Sequence, residues 1–89
     1  TCAFVGIFLK DLANFDTVVE ALGHIPEIVE CYFTTGNYDI FVKMYARNNR
    51  DLMNLIHDKI HPLGVARTET IICYHEVFRR QVPIPAEEE

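Results

Sequence analysis

The chain has 89 residues, 49% of them hydrophobic and 24% charged, with 13 acidic against 8 basic side chains and a net charge of −5. That length holds one small domain, and so ordinary a composition excludes a disordered or fibrous chain. The acidic balance, with Arg79-Arg80 as the one adjacent basic pair, argues against phosphate-backbone binding by these residues.

Apolar runs such as Ala3 to Leu9 fall far short of the roughly 20 residues of a membrane helix, and no charged-then-apolar leader opens the sequence. A soluble, cytoplasmic protein with no membrane partner is expected. Cys2, Cys31 and Cys73 form no CxxC pair, and their odd number suits a reducing compartment and buried small hydrophobes better than a disulfide scaffold.

Ala3 to Leu9 is a continuous apolar run of β-formers and reads as a first strand covered on both faces. Phe15, Val18, Val19 and Leu22 fall at helical spacing, with Asn14 as the expected N-cap and Gly23 and Pro26 as the stop. Ile28 to Thr34 and Tyr38 to Tyr45 read as strands of a hairpin broken at Thr35-Gly36-Asn37. Asn48 or Asn49 caps a second helix carrying Leu52, Leu55, Ile56, Ile60 and Leu63, which Pro62 and Gly64 terminate. Thr68 to Phe78 reads as a long last strand, apolar on both sides, with Ile72, Tyr74 and Phe78 opposite Ile71, Cys73 and Val77. Residues 1–82 then form the domain and 83–89 an acidic tail.

The order β-α-β-β-α-β with right-handed crossovers implies an α+β, ferredoxin-like fold: a four-stranded antiparallel sheet with both helices on one face. Phe4 and Phe8 extend the apolar surface of the other face beyond what a monomer tolerates, so sheet-against-sheet pairing into a dimeric α/β barrel is expected.

The stretch Pro26-Glu27-Ile28-Val29-Glu30-Cys31-Tyr32-Phe33-Thr34-Thr35-Gly36-Asn37-Tyr38-Asp39 resembles the strand-turn-strand signature of the Lrp/AsnC transcription regulators. Pro62-Leu63-Gly64-Val65 and Thr68-Glu69-Thr70 match the same family's second-helix end and Thr-x-Thr lead into the last strand. The likeness is to the C-terminal effector-binding domain, the RAM or regulation-of-amino-acid-metabolism domain. It implies an amino-acid effector bound at Gly36, Asn37, Tyr38 and Asp39 near a contact between dimers, with Thr35, Thr68 and Thr70 close by. It also implies a homodimer that associates further, and DNA bound only through an N-terminal helix-turn-helix domain absent from this chain. The chain is therefore expected to be a cut-out domain or a stand-alone sensor.

Physical chemistry supports such a site. Gly36 admits φ > 0, successive N–H groups in the turn attract a carboxylate, Asp39 faces an ammonium, and the threonines offer hydroxyls. The plainer readings are a simple hairpin turn at Gly36-Asn37, an Asx-turn at Asp39, and β-propensity at Thr68 and Thr70. His57 and His61 stand four apart on a helix beside Asp58, without the third ligand a metal site needs, so a solvated face is expected. No catalytic residue, metal or cofactor is assigned. The competing reading is a small dimeric α/β-barrel enzyme such as a cofactor-poor monooxygenase, which needs a pocket between helices and sheet where Phe15, Val18, Leu22, Leu52, Ile56 and Ile60 are expected to pack.

Overall fold

The alternating and helical spacings fold as their periods require. In the computed structural model, which describes residues 1–81, the chain runs β1 (Cys2–Leu9), α1 (Phe15–Leu22), β2 (Ile28–Phe33), β3 (Ile40–Tyr45), α2 (Asn49–Leu55) and β4 (Val65–Ile72). The strands pair antiparallel in the order β2-β3-β1-β4, the ferredoxin-like arrangement.

Register sorts the side chains into rows that alternate between faces. The rows Phe33-Ile40-Ile7-Thr68, Cys31-Val42-Val5-Thr70 and Ile28-Met44-Ala3-Ile72 face the helices. Between them, Tyr32-Phe41-Gly6-Glu69 and Glu30-Lys43-Phe4-Ile71 point away. Val18 and Leu22 from α1, and Leu52, Ile56 and Ile60 from α2 and its continuation, close over Val5, Ile7, Val42 and Met44, all at most 3% exposed. Each large side chain stabilises the fold by about 1.5–3 kcal/mol on leaving water. Among the described residues no polar or charged one is fully buried, so the layer between helices and sheet is an apolar core.

Local chemistry sets the boundaries. Asn48 caps α2, its Oδ1 accepting the Asp51 N–H at 2.8 Å. Beyond Leu55 the helix widens to a π-helical turn at Ile56–Ile60 and tightens at His61–Leu63. Pro62 has no N–H for the Asp58 carbonyl and crowds it, which accounts for the altered hydrogen bonding there. Gly64, at φ 92°, turns the chain into β4.

Several expectations need correction. Asn14 makes no side-chain cap; Asp11 caps the preceding tight turn instead, Oδ1 accepting from the Ala13 N–H at 3.0 Å. Tyr38 and Asp39 leave the ladder, because both are committed to contacts with β1 and β4 described below. The last strand begins at Val65 and ends at Ile72, since the ladder with β1 runs out where the Cys73 N–H meets the Cys2 carbonyl. Tyr74, Val77 and Phe78 are therefore not strand residues, and they lie exposed on a segment with neither helix nor strand. Nor is β4 apolar on both sides: Arg67 and Glu69 accompany Ile71 on the open face. The expected tail at 83–89 lies outside the described residues.

Candidate functional site

The β2–β3 connection is built as a rigid base with an exposed tip. The Thr34 hydroxyl donates to the Tyr38 carbonyl at 3.1 Å and closes the loop. Gly36 holds φ 99°, a conformation that side-chain-bearing residues rarely adopt, with open space around it. Thr35, Gly36 and Asn37 are exposed.

Tyr38 and Asp39 fasten this tip to the sheet. The Tyr38 ring lies on Gly6 so closely that a Cβ there would sit 2.2 Å from its Cδ1. The ring packs against Phe41 at 5.6 Å and edge-on to Phe8 at 5.4 Å, and its hydroxyl donates to Glu69 Oε1 at 3.2 Å. Donation to Glu69 pushes the Tyr38 phenol above its ordinary value, so it stays a donor. The Asp39 N–H donates to the Ile7 carbonyl at 3.0 Å, and its Oδ2 accepts the Leu9 N–H at 2.8 Å, beside the irregular pairing at Phe8/Leu9. Oδ1 is the oxygen left for another donor.

Because the Leu9 N–H is partly buried, losing its anionic acceptor is costly. Asp39→Ala should lower the unfolding free energy by about 1–3 kcal/mol in urea titration, with Asp39→Asn retaining most of it. Wild-type stability in Asp39→Ala would refute the anchoring role.

Thr68 and Thr70 are not brought to the tip within this chain. They lie on the helix-facing side of β4, and two strands separate Thr68 from Phe33 at the base of the turn, roughly 14 Å at ordinary strand spacing. Thr68 Oγ1 is 3.4 Å from His61 Nε2, and the rings of His57 and His61 are 6.5 Å apart.

Gly6, Phe41, Arg67 and Glu69, against which Tyr38 or its neighbours pack, were not among the expected site residues. One signal was present: a lone glycine inside a strand marks close approach. The same open face carries a Phe4–Phe41 stack at 5.6 Å and the Arg67 guanidinium 3.9 Å over the Phe8 ring. Lys43 lies 5.8 Å from Phe4 and 5.7 Å from Tyr45, while Tyr32, Tyr45 and Ile71 are exposed nearby. The face is an aromatic surface bordered by charges. Away from it, a cleft of about 610 Å³ between α2 and the end of β3 is bordered by Arg47, Asn54, Lys59 and Glu27, whose Oε1 is buried without a partner.

Comparison with known proteins agrees with this architecture. Residues 2–83 match the family model described as the Lrp/AsnC ligand binding domain. The regulatory protein AsnC of Haemophilus influenzae is 34% identical over 82 residues, which cover 91% of this chain and 55% of that protein. The structure of E. coli AsnC superposes with a TM-score of 0.88 at 30% identity, covering 91% of this chain and 55% of that one. TTHA0845 from Thermus thermophilus superposes with a TM-score of 0.80 at 29% identity, over 88% of this chain and 98% of its own. The chain spans about half the length of the curated AsnC relatives it matches. With a matching model over nearly its whole length, an antiparallel β2-β3-β1-β4 sheet, and relatives named as regulators, the chain belongs to the Lrp/AsnC ligand-binding domain family of transcription regulators.

Proposed function

We propose that this domain binds a small zwitterion, an amino acid, at the Thr35–Asp39 turn and passes the binding on as a change in self-association. The observation that carries the reading is the contrast within the turn. Tyr38 and Asp39 are fixed to β1 and β4, whereas Thr35, Gly36 and Asn37 are left exposed on that rigid base. Preorganised backbone N–H groups at a positive-φ glycine suit a carboxylate, and Asp39 Oδ1 suits an ammonium. Thr68 and Thr70 enter such a site from a neighbouring subunit, since on their own chain they face the helices, on the side of the sheet opposite to that over which Tyr38 reaches Glu69.

Two copies pair through the open aromatic face, and further association brings turns against neighbouring β4 edges. A ligand held between subunits then favours the assembly that completes its site. In a regulator that joins this domain to a helix-turn-helix, it is the helix-turn-helix that contacts DNA. An enzyme using a pocket between helices and sheet is disfavoured, because that layer is filled by the apolar core.

Titration calorimetry with a panel of amino acids tests this. Heat is expected with at least one of them, and Thr35→Val with Asn37→Ala should weaken it by about 10-fold or more while leaving the fold intact. No heat from any member of the panel, in protein shown to be associated, would contradict the sensor reading.

A further inference from the structure

The three thiols occupy different surroundings. Cys31 stands on β2 opposite Val42. Cys2 and Cys73, by contrast, are cross-strand neighbours. Ala3 pairs with Ile72, so the next rung sets Cys2 against Cys73, and the Cys73 N–H donates to the Cys2 carbonyl at 2.8 Å. Opposed residues of a hydrogen-bonded antiparallel rung stand about 5.5 Å apart at Cα. Disulfides span about 4.4–6.8 Å at Cα, so the rung lies within that range, and closure requires the two Cβ atoms to be drawn to about 3.5–4.5 Å. Both side chains border the same cleft of about 470 Å³ at the end of the sheet where β1 begins, and each residue is partly exposed.

We propose that Cys2 and Cys73 are a modification site that closes into a reversible intrachain disulfide by exchange with a low-molecular-weight disulfide of the glutathione class. One protein thiolate attacks a sulfur of oxidised glutathione, breaking its S–S bond and releasing one glutathione thiolate. The second protein thiolate then attacks the protein sulfur of the mixed disulfide, forming the Cys2–Cys73 bond and expelling the second glutathione. The protein gives up two electrons and two protons, and oxidised glutathione becomes two molecules of the thiol. Partial burial first, and Cys2 second, push the Cys73 thiol above its ordinary value. Closure therefore quickens as the pH rises above neutral. The bond clamps the point where the irregular segment from Cys73 to Gln81 leaves the sheet beside Phe4 and Tyr45.

The test is to incubate the native chain with oxidised glutathione at about pH 8, alkylate the remaining thiols, digest with trypsin and map the peptides by mass. Free thiols should fall from three to one, peptides 1–10 and 68–79 should appear linked, Cys31 should be alkylated, and dithiothreitol should reverse the change. Cys31→Ser should close at the wild-type rate, and Cys2→Ser should leave Cys73 as a stable glutathione adduct. The proposal is overturned by glutathione on Cys31 with Cys2 and Cys73 still free, by adducts on the pair that never resolve, or by a bridge seen only in denaturant.

Discussion

Gly6→Val should lower the unfolding free energy by about 3 kcal/mol, the upper range for overpacking a fitted contact. A Cβ at position 6 meets the Tyr38 ring at 2.2 Å, so the ring must leave the sheet. With it go the contacts to Phe8 and Phe41 and the bond to Glu69, and the turn loses half of its base. Urea denaturation of Gly6→Val, Tyr38→Ala and the double variant isolates the effect. Valine should cost at least about 1 kcal/mol less when Tyr38 is already alanine. Strictly additive losses would mean that the ring does not depend on the glycine.

Phe41→Glu should weaken self-association by about 100-fold or more. Phe41 lies within the open face, stacked on Phe4 and touching Tyr38, and in the proposed pairing a carboxylate there is taken out of water against the second copy. The side chain points away from the helices, so the core is untouched and the subunit should stay folded. Light scattering over a dilution series reads the change directly. Unaltered association in Phe41→Glu would place the contact on another surface.

The legible parts of the sequence were those governed by near neighbours. Leu52, Ile56 and Ile60 announce their shared face through helical spacing, and Val5 and Ile7 or Val42 and Met44 theirs through alternation. Gly36 was legible as a turn because a positive φ has few other candidates. What escaped depended on distant partners. Asp39 looked like a local turn-former or an ammonium acceptor, yet its Oδ2 serves the Leu9 N–H, 30 residues away. Tyr38 looked like the first residue of a strand, and only the missing side chain at Gly6 gives its ring a seat. β4 looked longer than it is because strand propensity continues through Tyr74 and Val77 after the pairing with β1 has run out. Cys2 and Cys73 looked like unrelated buried thiols, and the strand register makes them neighbours.

The proposed function depends on pairing through the open face, with the turn left to meet a neighbouring subunit. Sedimentation velocity of the unaltered chain, across a dilution series with and without the amino acid that gives heat, measures it most directly. The expected result is a species no smaller than a dimer at micromolar concentration, shifting in size when the effector is added. A single monomeric boundary at every concentration, unmoved by effector, would contradict it.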